Sequence, residues 1–302
     1  MTARREIDAH AQLLRIVAAG LLIISQAACA GLGNGARAQP GDPTVSVVHN
    51  PDGSYDYAAM YRLYNMAEAV WRGNETFRDT DWELDYFDHE ETRTHGLAIR
   101  EDDTLYIAFR ATSSTLAAAD QLLNLQVHQR APAWLDGPSP VQVHRGFMSR
   151  YEAVREEVLS RILTTSAENI VFTGASAGGA LSLLAFMDAL VLLDESTPIS
   201  HVSFGKPRIF DAAGARWLRE TAAERVVPAT IVRVVNGNDR VPSIPPMIFG
   251  YRHVVPAHHI GPQRRWYLIS GEDHHPGYIE SLQALAREEG TVIEELPYSR
   301  TR

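Results

Sequence analysis

The sequence predicts an α/β fold: a mainly parallel central sheet with helices on both faces. Three observations predict it. Leu105-Tyr106-Ile107-Ala108-Phe109 and Ile170-Val171-Phe172 are continuous apolar runs of strand length, which suits strands buried on both sides. Such runs alternate along the chain with segments of helical periodicity, the pattern of parallel strands joined by crossover helices. After Pro43 no repeat, heptad run or low-complexity block interrupts the alternation.

In chain order, Tyr57, Met60, Tyr61, Tyr64, Ala67, Val70 and Trp71 recur at helical spacing and predict a packed helix over Ser54 to Trp71. His95 to Arg100 and Thr104 to Arg110 flank the turn Glu101-Asp102-Asp103 and predict two strands. One long amphipathic helix is expected from about Gly146 to Leu163, a buried strand at Ile170 to Phe172, an apolar helix from Gly178 to Leu193 and a strand at His201 to Phe204. A helix over Asp211 to Glu224, strands at Thr230 to Val235 and Arg265 to Ile269, and a last helix over Pro276 to Glu288 complete the series.

The chain has 302 residues, 45% hydrophobic and 22% charged, enough for one large core. Its 28 Lys and Arg against 37 Asp and Glu give a net charge of −9, which leaves no excess of positive charge for a nucleic-acid backbone. The single cysteine, Cys29, excludes an internal disulfide and a thiolate metal cluster. Arg4, Arg5 and Arg15 precede the apolar run Ile16 to Ile24, and residues 1–30 read as a secretory signal, so the protein is expected to be exported. The alternative, a permanent membrane anchor, asks for the ~20 apolar residues of a spanning helix, more than this run supplies. Ala27-Ala28-Cys29 resembles the end of a bacterial lipobox and makes Cys29 a candidate lipid-anchor site; Gln26 departs from that box, and Ala28-Cys29-Ala30 and Ala36-Arg37-Ala38 offer ordinary cleavage sites. Residues 31–43 read as a flexible linker and 44–302 as one folded domain.

The sharpest local signal is Gly174-Ala175-Ser176-Ala177-Gly178-Gly179, set between a buried strand and an apolar helix. A G-x-S-x-G turn there puts its serine in a strained backbone and needs neighbours without side chains. Ser176 is the candidate nucleophile, at a helix N-terminus that favours developing negative charge. The alternative is a tight turn with an N-capping serine. A serine hydroxyl needs a base and an acid that orients it. Asp239, on the loop after the strand Thr230 to Val235, is the candidate acid; a turn aspartate bonding its own backbone is the plainer reading. Glu272-Asp273-His274-His275 offers two candidate bases just before the last helix. His258 and His259 form a second pair, read as solvated loop histidines; the four histidines with Asp273 would otherwise suggest a metal site, for which no HExxH spacing is present. Ala177 is the first candidate oxyanion donor, and Thr112, with Ser113 as its alternative, is the second, in the loop after Phe109.

Five segments resemble one family, the class 3 or fungal-type lipases of the α/β-hydrolase fold. Ile107-Ala108-Phe109-Arg110-Ala111-Thr112-Ser113 is similar to its A-F-R-G-T-x-S, Val143-His144-Arg145-Gly146-Phe147 to V-H-x-G-F, and Thr173 to Ala180 to T-G-H-S-L-G-G-A. Phe204 to Arg208 resembles F-G-x-P-R, and Val234 to Pro242 resembles V-V-x-x-x-D-x-V-P. The family's H-x-x-Y before the last helix is matched by His275-Pro276-Gly277-Tyr278, so the resemblance selects His275 over His274 as base; Tyr251-Arg252-His253 resembles a structural Y-x-H and sets His253 aside. Ala111, Ala175 and Ala177 replace the usual glycine, histidine and larger apolar residue, which alters pocket walls and removes no catalytic group.

The resemblance implies a lipase that hydrolyses acylglycerol esters with Ser176, His275 and Asp239, without metal or cofactor, on a lipid or ester substrate at a lipid–water interface. It also implies a lid within Thr115 to Val141, where Leu116, Ala119, Leu122, Leu123 and Leu125 supply one apolar face; a permanently packed helix is the alternative. A short-chain or phenolic-ester esterase and a phospholipase would use the same residues. A noncatalytic lipid-binding or surface protein on this scaffold, and a metal-dependent hydrolase built on the histidine pairs, are the readings from other classes.

Overall fold

The computed structural model describes residues 47–70, 80–111, 128–135, 141–262, 273–274 and 276–291, all within the compact unit 41–302. The signal, the linker, the predicted strand at 265–269, Thr112 and most of the lid segment lie outside the described residues. In chain order the elements are α1 (Tyr57–Ala69), β1 (Glu83–His89), β2 (Thr94–Glu101), β3 (Thr104–Phe109), β4 (Gln129–Arg130), β5 (Val143–His144), α2 (Arg145–Glu152) and α3 (Arg155–Thr164). There follow β6 (Asn169–Ala175), α4 (Ala177–Leu192), β7 (Ile199–Phe204), β8 (Phe210–Asp211), α5 (Ala212–Glu224), β9 (Thr230–Asn236), β10 (Tyr251–Arg252), β11 (His258–Ile260) and α6 (Pro276–Glu288).

Among the described residues the main sheet has seven strands in the order β1-β2-β3-β6-β7-β9-β11. β1, β2 and β3 pair antiparallel, and every pairing from β3 to β11 is parallel. Its central strands are apolar on both faces, as the continuous runs predict. Leu105, Ile107, Phe109, Ile170 and Phe172 pack into one core cluster, while Tyr106, Ala108, Val171 and Ala175 pack into the other.

Topology decides which helices cover which face. From β3 onward each strand adds on the same side of the last, and right-handed crossovers repeated in one direction lay their helices on one face. Residues of α2, α3, α4 and α5 accordingly share the first cluster. Among the described residues the other face receives no crossover helix and is closed by α1 and α6, where Tyr64 stacks on Tyr278 at 5.5 Å between ring centroids.

Several elements differ from the sequence reading. The single helix expected over Gly146 to Leu163 is two, because Val154 leaves the helical region (φ −120, ψ 2) and α3 restarts with Glu156 and Glu157 in its first turn, where the helix dipole favours acids. β1 is an edge strand whose Glu83, Asp85 and Asp88 face water, so its polarity hid it. A second sheet, β10-β8-β5-β4, is made of two-residue strands that leave no periodic signal. His258 and His259 are not loop histidines. They pair with Val234 and Val235 in β11, and His258 lies 3.8 Å from Tyr55, ring centroid to ring centroid. Among the described residues no helix is long and apolar enough to cross a membrane.

Candidate active site

Strand β6 runs into α4 through a turn that only glycine permits at two points. A Cβ on Gly174 would collide with the backbone of Gly178, and one on Gly178 would collide with the carbonyls of Phe109 and Arg110. The same contact shows that the chain leaving β3 crosses directly over the elbow. Between the glycines, Ser176 is held at φ 54, ψ −124, a region costly for any residue with a Cβ. Its N–H donates to the Phe204 carbonyl at 2.8 Å, which fixes it against β7. The serine side chain makes no cap bond to its helix. Its Oγ lies 3.0 Å from Nε2 of His274 instead, which removes the reading of Ser176 as an N-cap.

Asp239 sits past the end of β9, its side chain fully buried. A buried carboxylate needs donors, and three converge on it. The Val241 N–H reaches Oδ1 at 2.9 Å, the Tyr278 hydroxyl reaches Oδ2 at 2.8 Å, and Nδ1 of His274 lies 2.9 Å from both oxygens. Its carboxylate is therefore not spent on its own turn alone. With Nδ1–H donating to Asp239, the neutral imidazole keeps a lone pair on Nε2 for the proton of Ser176. Burial and the neighbouring Asp239 push the Tyr278 hydroxyl well above the usual tyrosine range, so it remains a donor.

The histidine brought to Asp239 and Ser176 is His274, not the His275 that the H-x-x-Y resemblance selected. The reason lies one residue back. Asn236, the last residue of β9, donates its side-chain amide to the Asp273 carbonyl at 3.0 Å and accepts from the Ser281 hydroxyl at 2.6 Å, so it fastens both the histidine loop and α6 to the sheet. The side chain directly after the pinned carbonyl meets the acid, and that side chain is His274. His275 lies outside the described residues.

Gly205 completes the arrangement. At φ 61 it would place a Cβ 2.7 Å from Oδ2 of Asp239 and 3.0 Å from the Tyr278 hydroxyl, so glycine clears the space in which acid, histidine and tyrosine meet. Sequence reasoning gave no role to Asn236, Gly205 or Tyr278. Each stood inside a quoted motif, V-V-N, F-G-K-P-R or H-x-x-Y, and that was the signal available. Of the oxyanion candidates, Ala177 opens α4, where the first N–H groups have no partner within the helix; Thr112 lies outside the described residues, just beyond Ala111. His253 makes a 2.8 Å bond between Nε2 and the Pro242 carbonyl, bracing the loop after Asp239. Among the described residues no group of three His, Cys, Asp or Glu side chains is arranged to hold a metal ion.

The model for the family described as Lipase (class 3) matches residues 106–249. Over that stretch the chain is similar to the class 3 lipases. A secreted mono- and diacylglycerol lipase of Fusarium solani is 32% identical over 135 residues, covering 42% of this chain and 38% of the relative. A lipase of Rhizopus niveus is 30% identical over 169 residues, 53% of this chain and 40% of the relative. The chain thus spans about two fifths of the length of these curated relatives. Among solved structures, a lipase of Yarrowia lipolytica superposes with a TM-score of 0.60 at 18% identity, over 78% of this chain and 96% of that one. A Rhizomucor miehei lipase propeptide complex gives 0.56 at 24%, over 68% and 67%. At these identities the likeness carries the α/β-hydrolase fold. The matched stretch holds β3 from Tyr106 onward, the elbow and Asp239, whereas His274 and Tyr278 come from beyond it.

Proposed function

We propose that this protein is an exported lipase of the class 3 type, a serine carboxylic-ester hydrolase acting on acylglycerols. The observation that carries the proposal is the continuous hydrogen-bonded series Ser176, His274, Asp239 at the carboxyl end of the parallel strands. The names of its relatives support the substrate class and the export.

In this reading Ser176 Oγ attacks the acyl carbon as its proton passes to Nε2 of His274. The imidazolium is stabilised through Nδ1–H by the Asp239 carboxylate, which its three donors hold in place. The oxyanion is met by the Ala177 N–H at the head of α4 and by a second donor from the segment after β3, for which Thr112 is the proposed residue. Collapse expels the alcohol, which takes the proton from His274. Water then attacks the acyl-enzyme, gives its proton to the same nitrogen, and the carboxylic acid leaves as Ser176 recovers its proton.

The test is release of p-nitrophenol from butyrate and palmitate esters by the protein and by Ser176→Ala. Loss on the order of 10⁴- to 10⁶-fold in the variant is expected, and the ratio of the two esters separates lipase from esterase. Equal activity in the variant would remove Ser176 as nucleophile. A folded protein inactive on both esters and on an acylglycerol emulsion would favour the noncatalytic lipid-binding reading.

A further inference from the structure

Three large apolar side chains in a row face water at one point of the surface. Met247, Ile248 and Phe249 are 47, 61 and 49% exposed, on a 3₁₀ turn that ends in left-handed Gly250. Exposed apolar residues scattered singly are ordinary, but a consecutive run at a loop tip marks an interaction site. This tip is held out stiffly. Pro245 at its base is buried, and the Arg208 guanidinium donates to the carbonyls of Ser243 and Pro245. Arg252 Nη1 and the Gly250 N–H both donate to the Met247 carbonyl, at 2.9 and 3.0 Å.

Its place and its charge name the partner. The tip belongs to the loop that begins at Asp239, past the carboxyl end of β9, and Arg208, which braces it, follows β7. Both therefore issue from the edge of the sheet at which β6 presents Ser176. From Arg240 to Pro262 the chain has no Asp or Glu, while Arg240 and Arg252 fall in that interval. In a chain of net charge −9, an apolar tip borne on a stretch whose only full charges are positive is complementary to a surface that is oily within and anionic at its face.

We propose that Met247–Phe249 is the element by which this protein docks on an anionic lipid–water interface, seating the Ser176 end of the sheet on the surface that holds its ester. The proposal rests on the lipid-ester reading above and adds the contact surface and the charge of the lipid. It is independent of any lid in residues 115–141.

The test uses the full chain carrying Cys29→Ser, so that no acyl chain contributes, with and without Met247→Ser, Ile248→Ser and Phe249→Ser together. Cosedimentation with vesicles of phosphatidylglycerol and phosphatidylcholine, and with phosphatidylcholine alone, is read beside hydrolysis of p-nitrophenyl butyrate below its solubility limit. The parent should partition preferentially onto the anionic vesicles, less so at high salt. The triple variant should lose about 10-fold or more of that partition while hydrolysing the soluble ester within about 2-fold of the parent. Unchanged partition in the variant, or equal partition of the parent onto both vesicles, overturns the proposal. So does a mass that falls on substitution while vesicle binding persists, since the tip would then join two copies. Should the triple variant fail to fold, Ile248→Ser alone carries the same comparison with a smaller loss. A parent that hydrolyses no ester yet binds through the tip would sink the hydrolase reading and leave the docking surface standing.

Discussion

Helix α4 takes part in two serine–histidine contacts of nearly equal length. At its head Ser176 Oγ lies 3.0 Å from Nε2 of His274, and within it Ser182 Oγ lies 3.1 Å from Nε2 of His201. Only the first is arranged for chemistry. Ser182 donates its own proton to the Gly179 carbonyl, so toward His201 it acts as acceptor and Nε2 must carry the hydrogen. Nδ1 of His201 finds no hydrogen-bond partner among the described residues, whereas Nδ1 of His274 faces both oxygens of Asp239. The tautomers are thus opposite: one histidine offers a lone pair to its serine and the other offers a proton. Burial and the nearby Lys206 push the His201 pKa down to about 3, which keeps it neutral and unable to take the proton a nucleophile would shed. A serine within reach of a histidine is therefore not a catalytic pair; a carboxylate on the far nitrogen and a position at the strand end make it one.

Asp239→Asn gives the largest effect on this contrast. An amide presents NH₂ to one of three groups that are themselves donors, which favours the wrong imidazole tautomer and makes His274 resemble His201. A loss of kcat on the order of 10³- to 10⁴-fold in ester hydrolysis, with the folded structure retained, is expected; a loss under 10-fold would show that the carboxylate does not set the tautomer.

The second effect is on stability against pH. His201 binds a proton near 6.5 when unfolded but only at about 3 when folded. Between those values the unfolded chain binds more protons than the folded one, so its contribution to stability is complete above about 6.5 and is lost as the pH falls. His144 and His258, each pushed down to about 4 chiefly by burial, act in the same direction. The midpoint of thermal unfolding should drop between pH 7 and pH 5, and less steeply in His201→Gln. Parallel pH dependences for the two proteins would contradict the assignment.

The smallest effect on turnover belongs to Ser182→Ala. It removes the Ser182 hydroxyl as an acceptor for His201 and leaves it the Gly179 carbonyl, at a cost of roughly 1 kcal/mol, readable by denaturant unfolding. Ester hydrolysis should stay within about 2-fold of the parent, since the contact serves packing alone. A turnover loss comparable to that of Ser176→Ala would break the distinction between the two contacts.

The sequence announced the chemistry more clearly than its register. The elbow was legible because strained turns permit few residues, and the collisions at Gly174 and Gly178 show why. The parallel strands were legible because burial on both faces leaves no polar alternation. The choice between His274 and His275 was not legible. Adjacent histidines have the same chemistry, and what separates them is a bond from Asn236 to the carbonyl of Asp273, a contact across 37 residues. The edge strand β1, the two-residue strands of the small sheet and the break at Val154 escaped for a related reason. Each is held by tertiary partners, and short or polar segments carry too little periodicity to show it.

The measurement that tests the account most directly is kcat for p-nitrophenyl butyrate in His274→Ala beside His275→Ala, both purified as folded protein. The geometry predicts that His274→Ala falls as far as Ser176→Ala, on the order of 10⁴- to 10⁶-fold, while His275→Ala stays within about 10-fold of the parent. The reverse pattern would contradict it and place His275 on Asp239.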